Sequence, residues 1–169
     1  MKFKHEEDDL IFSDKLSYGT LQFLPHDSKI IEKEINKIAD DIMTSDSDII
    51  IEKIKSLSNT KLLQHIEDAI MDQSLIVSGV GNYLKSEILY EAKISPLRKV
   101  KDISDDEWKN LLKIGKKFSK KMAKALNNGG YTESMKVYQR KEDPDGNKIE
   151  KHKSEKTKRT TFWVPAIQR

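Results

Sequence analysis

Two glycines two positions apart, Gly79 and Gly81, close the apolar run "SLIVSGVG", and a helix-forming stretch, "NYLKSEILYEA", follows at once and gives way before Pro96. Glycine enters left-handed backbone at no side-chain cost. Without a Cβ it also lets main-chain N–H groups come close to a ligand. A helix starting right after such a turn offers unpaired N–H donors and a partial positive charge, which attract phosphate. The pattern therefore fits a tight helix–turn–helix joint or a main-chain anion site. Asn82 suits both, as a cap or as a donor to a phosphate oxygen. No Gly-Lys-Ser/Thr follows, which excludes a Walker-type loop.

The charge distribution bears on the choice. Residues 1–97 carry 11 Lys+Arg against 18 Asp+Glu, a balance of −7; residues 98–169 carry 20 against 10, a balance of +10. A basic half suggests a polyanion partner, or else a solvated lysine-rich helix. The 169 residues suffice for one domain or two small ones, and with 36% hydrophobic residues the core is modest. There is no cysteine, so disulfides and thiolate zinc sites are excluded. The start "MKFKHEEDDL" lacks the apolar stretch of a signal peptide, and no apolar run reaches the roughly 20 residues of a membrane span. A soluble, intracellular protein is expected.

Along the chain, "LIFSDKLSYGTLQFL" (10–24) reads as two short strands around a turn near Asp14 to Ser17. Ile30, Ile31, Ile35, Ile38 and Ile42 predict an amphipathic helix over about 29–43. "SDSD" breaks it and caps a second helix burying Ile49, Ile50, Ile54 and Leu57. Leu62, Leu63, Ile66, Ile70 and Met71 mark a third, and Tyr83, Leu84, Ile88, Leu89 and Ala92 a fourth. "SDDE" (104–107) is a capping box opening a long helix with Trp108, Leu111, Leu112, Gly115, Phe118, Met122 and Leu126 inward. Its other positions are largely lysine, and "NNGG" (127–130) stops it. "KVYQR", a turn at "DPDGN" and "RTTFWV" predict a β-hairpin with a basic loop.

"IMDQSLIVSGVGNYLKSEILYEAKISP" resembles the helix–two-turn–helix (H2TH) motif of the Fpg/Nei DNA glycosylases, through Asp72-Gln73, the Gly-x-Gly-Asn turn, Ser86-Glu87-Ile88-Leu89-Tyr90, Ala92 and Ile94-Ser95-Pro96. "KVYQRKEDPDGNKI" and "KRTTFWVPAIQ" are similar to that family's C-terminal finger, and "LIFSDKLSYGTL" more weakly to the last strands of its N-terminal domain. The resemblance implies a mainly α fold, with a strand remnant over 1–24, an H2TH helical domain over 25–130 and a finger hairpin over 131–169. It implies that Asn82, in the turn with Gly79 and Gly81, and Arg159 of the finger contact phosphates beside a lesion. It puts Tyr18 where the family has an aromatic wedge, but Leu16 and Ser17 replace the usual arginines beside it, which favours a strand residue packed on the core.

The departures from the family shape the expectation. The finger has Val164 and Ile167 where a second cysteine pair would stand, so it resembles the zincless finger of some Nei-like proteins, held by packing of Tyr138, Phe162 and Trp163. No metal and no cofactor are expected; His5, His26, His65 and His152 are scattered in sequence. Glu67 and Asp68 occupy a place where the family commonly has a basic residue, and the stretch from Asp72 to Gly79 is one residue longer than the family form. The family's N-terminal Pro-Glu, whose amine attacks the damaged nucleotide, is not matched by Met1-Lys2-Phe3, and no catalytic residue is assigned. The expected function is binding of duplex DNA, damaged or abasic, by a monomer in base-excision repair, in a truncated member of a glycosylase/AP lyase family. A non-catalytic damaged-DNA-binding or scaffolding module, or an RNA-binding H2TH protein, are the alternatives.

Overall fold

The computed structural model describes residues 2–5, 8–15, 17, 19–127 and 135–169. The chain separates into two compact units, Met1–Ile35 and Asn36–Arg169.

The first unit holds an antiparallel pair, β1 (Lys2–His5) and β2 (Asp8–Ile11), in register Lys2 with Ile11 and His5 with Asp8, and one helix, α1 (Lys29–Ile35). The strands therefore lie earlier than the sequence pattern predicts, and no described residue of 12–24 is in a strand. The predicted helix over 29–43 ends at Ile35. Ile38 is exposed, and Asp41 turns the chain by accepting from the Met43 and Thr44 N–H groups at 2.7 and 3.2 Å. The backbone of 39–42 pairs with a distant segment instead of continuing a helix, Ala39 N donating to the Gln73 carbonyl at 2.8 Å and Ile42 N to that of Ser78 at 3.2 Å.

The second unit is a helical body carrying a hairpin. Asp46 caps α2 (Ser47–Lys55) by accepting from Asp48 N at 2.8 Å. That helix buries Ile50, Ile51 and Ile54 and leaves Ile49 exposed. The single predicted third helix is two short ones, α3 (Asn59–Leu62) and α4 (Ile66–Ala69). Then come α5 (Asn82–Ala92), a 3-10 turn (Val100–Asp102) and α6 (Asp105–Asn127). The predicted capping box forms: Ser104 N donates to Glu107 Oε2 at 2.9 Å, and Glu107 N to Ser104 Oγ at 3.3 Å. Arg98 also grips this carboxylate and holds its pKa at about 2. The "NNGG" stop falls, from Asn128 on, outside the described residues.

Helix α5 is the centre of the body, packing α6 on one side and the finger on another. A Cβ at Gly115 of α6 would come within 3.1 Å of Ile88 Cδ1, so glycine permits the close approach of the two helices. Trp108, Leu111, Leu112, Phe118 and Met122 fill the same core. No described helix is long and apolar enough to cross a membrane.

The finger pairs β3 (Glu150–Lys153) with β4 (Thr160–Trp163), antiparallel, Glu150 with Trp163 and Lys153 with Thr160. "KVYQR" is not a hairpin strand, as its backbone is held instead by Glu87. "DPDGN" does form a turn, closed by a bridge between Glu142 and Lys148. Its Asp143 accepts from the N–H groups of Asp145 and Asn147, from Asn147 Nδ2, and from Tyr90 Oη at 3.1 Å. Burial alone would raise the Asp143 carboxyl; these bonds bring it below its ordinary value. Tyr138 and Phe162 meet edge to face at 5.2 Å over Val137, Ile149 and Val164. Trp163, half-buried, is not among the residues of this small core, which corrects its predicted packing role.

Candidate nucleic-acid interface

The two glycines have different reasons to be glycine. Gly79 has φ +88, a left-handed conformation that a side chain strains. Its N–H donates to Gln73 Oε1 at 2.7 Å, and Gln73 Nε2 donates in turn to the carbonyls of Met71 and Val80, both at 2.9 Å. One glutamine thus ties the turn from inside. Gly81, the N-cap of α5, has φ −96 and ψ −178, an extended conformation open to any residue. A Cβ built on it meets nothing within 4 Å. Neither conformation nor packing requires glycine there. What a side chain would change is access to the first turn of α5, whose N–H groups have no intrahelical acceptor.

Asn82 is not a cap; α5 has no side-chain cap bond. Its Nδ2 instead donates to the carbonyl oxygen of Thr160 at 3.1 Å, across 78 residues. That bond places the glycine turn against the finger next to Arg159. Lys158, at φ 57, turns the backbone immediately before it. The Arg159 side chain is exposed and, among the described residues, has no carboxylate partner. One of the two Asn82 amide hydrogens is used on Thr160; the other makes no hydrogen bond among the described residues. The fifth predicted residue, Tyr18, lies outside the described residues.

Glu67 and Asp68, where the resemblance led to a basic residue, fasten the finger to the body. Thr161 Oγ1 donates to Glu67 Oε2, and His152 Nε2 lies 3.0 Å from Glu67 Oε1. Ser154 Oγ and Thr157 Oγ1 donate to Asp68 Oδ1 at 2.6 and 2.9 Å. Ser154 Oγ also accepts from the N–H groups of Lys156 and Thr157, which sets the turn that presents Arg159. On the other side of α5, buried Glu87 accepts from the N–H groups of Lys136, Val137 and Tyr138 at 2.9, 2.9 and 2.8 Å. These three carboxylates are structural anchors, of the finger and of residues 136–138, that sequence reasoning missed. Their only signal was an acidic pair in an apolar stretch and a glutamate inside a buried helix face.

Lys85 is also buried, with no hydrogen-bond partner for its Nζ. Burial lowers its pKa to about 8; Glu67 and Asp68 oppose that fall and Arg159 adds to it. Burial likewise pushes the Glu67 carboxyl above its ordinary range, against the Thr161 hydroxyl and His152. A buried lysine with a weakened hold on its proton therefore lies within electrostatic reach of Glu67, Asp68 and Arg159. One histidine, His65, does lie in a cluster: its ligand atom and those of Glu67 and Asp68 are within 4.8 Å of one another. The two carboxylates are already engaged by finger hydroxyls, and Lys85 adds a like charge to any cation there.

Residues 38–137 match the Formamidopyrimidine-DNA glycosylase H2TH domain, and residues 132–169 the Formamidopyrimidine-DNA glycosylase C-terminal domain. Among curated proteins, the formamidopyrimidine-DNA glycosylase of Ureaplasma parvum serovar 3 is 32% identical over 125 residues, 73% of this chain and 42% of that protein. The Rickettsia felis protein of the same name is 35% identical over 123 residues, with the same two coverages. The chain thus spans less than half the length of these relatives. Among solved structures, a viral DNA glycosylase superposes with a TM-score of 0.67 at 27% identity, over 83% of this chain and 52% of that one. MutM in complex with carbocyclic 8-oxo-G containing DNA superposes with a TM-score of 0.77 at 22% identity, over 99% and 64%. The latter likeness bears on fold alone.

Proposed function

The chain belongs to the formamidopyrimidine-DNA glycosylase family, and from that premise we propose that it grips the sugar-phosphate backbone of duplex DNA at a damaged or abasic site, as the H2TH-and-finger part of base-excision repair. The observation that carries this reading is the Asn82–Thr160 hydrogen bond, because it joins the glycine turn and Arg159 into one surface. On that surface the second Asn82 amide hydrogen and the first-turn N–H groups of α5 donate to one phosphate group. The Arg159 guanidinium takes the same or the adjacent phosphate with a bidentate fork. Gly81, without a side chain, leaves the approach open.

Such contacts position the protein and read no base. Glycosylase and AP lyase chemistry belongs, on this reading, to groups other than those described here, and no nucleophile is assigned to this chain. It binds as a monomer, one chain to one duplex. The test is fluorescence anisotropy with a duplex carrying an abasic analogue, an intact duplex and single-stranded RNA, each over a salt series. Binding that prefers the abasic duplex and weakens steeply with salt supports the proposal. Tighter binding to the RNA would replace it.

A further inference from the structure

From Trp108 to Asn127, α6 carries seven lysines and no acidic residue. Lys109 pairs with Asp48 at 3.3 Å. Among the described residues, none of the other six (Lys113, Lys116, Lys117, Lys120, Lys121 and Lys124) is paired with a carboxylate. Other lysines of the same unit do find partners: Lys53 with Asp40, Lys55 with Glu52 and Asp105, Lys136 with Glu91. The charge of α6 is therefore segregated, acidic in its first turn and uniformly basic beyond it. At about 100° per residue the six ammonium groups fall within an arc of roughly 140°, and from Lys113 to Lys124 they extend about 16 Å. Like charges at three- and four-residue spacing destabilise an isolated helix. The helix dipole favours cations only in the last turn, so it does not account for Lys113, Lys116 and Lys117.

This face is turned away from the Asn82–Arg159 surface. Gly115, on the opposite side of α6, packs toward Ile88 of α5. Another side of α5 receives the finger, where Phe162 N donates to Ser86 Oγ at 3.2 Å. The thickness of α5, roughly 10 Å, therefore separates the lysines from β4. We infer that the lysine face of α6 is a second DNA-backbone contact, outside the footprint of Asn82 and Arg159, which holds the flank of the same duplex.

The composition favours DNA backbone over an acidic protein. Protein interfaces are depleted of lysine at their cores and anchored by Trp, Tyr or Arg. Here the exposed residues are lysines with Ala123 between them, and no arginine or exposed aromatic occurs on this face. Lysine is a point charge without a fixed fork, suited to phosphates of any sequence. The inference rests on the proposed function for the identity of the polyanion, though not for the charge itself.

The test is the fourfold variant K113Q/K117Q/K120Q/K124Q, with folding checked by circular dichroism. A fourfold Lys→Arg variant at the same positions controls for charge. With a 40-base-pair duplex, the glutamine variant is expected to lose about three units of the log–log salt slope and on the order of tenfold in affinity at moderate salt, and the arginine variant to retain both. With a 12-base-pair duplex that fills only the Asn82–Arg159 surface, all three proteins are expected to bind alike. A length effect without capture of a labelled second duplex on an immobilised one is the expected result; capture would place a second duplex on the face and overturn the flank assignment. An unchanged slope on the long duplex, with Arg159→Ala still weakening binding, would overturn the inference and leave the proposed function standing. Loss in the glutamine variant with no effect of Arg159→Ala would do the reverse. Equal loss on both duplex lengths would make α6 part of the first surface and overturn its separateness.

Discussion

The Asn82 side-chain amide donates to the Thr160 carbonyl at 3.1 Å, closing 78 residues of chain between a helix N-terminus and the start of a β-strand. Neither residue alone is unusual. Together they join the start of the central helix to the finger as one surface, with Arg159 at its edge. The carboxylates of Glu67 and Asp68 reinforce the same junction from below, through Thr161, Ser154 and Thr157.

Gly79 and Gly81 separate stability from binding. Gly79→Ala places a side chain at φ +88 and is expected to cost about 1 kcal/mol or more of stability. Gly81→Ala is expected to leave the melting temperature within error, since its Cβ enters open space, and to weaken DNA binding. Thermal denaturation and anisotropy on the two variants check this. A Gly81→Ala protein that binds as wild type removes the role given to that position.

Glu87→Ala removes an acceptor shared by three main-chain N–H groups and leaves Val137 N buried without a partner. Stranded donors cost about 1–3 kcal/mol each. The expected fall in melting temperature is on the order of 10 °C for a chain of this size. Differential scanning calorimetry reads it directly, and a shift of only a degree or two would mean that other groups hold residues 136–138.

The finger should not depend on a metal. Asp143→Ala breaks the four bonds that shape the "DPDGN" turn and is expected to lower stability by about 2 kcal/mol. A chelator added to the wild-type protein is expected to leave its melting temperature unchanged. Elemental analysis giving one zinc per chain would contradict this.

Acid should weaken the α6 N-terminus. The Arg98 guanidinium, followed by the Ser104 bonds, lowers the Glu107 carboxyl from 4.5 to about 2. A carboxyl depressed in the folded state contributes stability above its unfolded pKa and loses it as pH falls through the folded one. The window is therefore pH 4.5 down to 2. Because the side chain is partly exposed, screening reduces the contribution to about 1 kcal/mol. Urea unfolding of wild type and Glu107→Gln across pH 2–6 should give curves that converge at the acid end.

What the sequence revealed follows the range of the interactions involved. The α6 capping box lies within four residues and α5 begins directly after its glycines, so both were legible. The isoleucine spacing overextended the first helix because residues 39–42 pair with 73–78 instead, far along the chain. Strands β1 and β2 lie in the charged run "KFKHEEDDLI", where no apolar alternation announces them. Asn82 and Arg159 were singled out through motif likeness, yet the bond from Asn82 to Thr160, the chain neighbour of Arg159, was not foreseen. Nor were the Glu67 and Asp68 anchors, whose partners lie 86 to 94 residues away.

The most direct measurement of the central claim is a double-mutant cycle on binding to a duplex with an abasic analogue. Asn82→Ala and Arg159→Ala are each expected to reduce affinity, by roughly tenfold for the arginine, whose loss should also flatten the salt slope by about one contact. If the two residues share one phosphate surface, as the bond to Thr160 implies, the double variant should lose less than the product of the single effects. Single variants that bind like wild type, with an unchanged slope, would contradict the assignment of this surface to DNA.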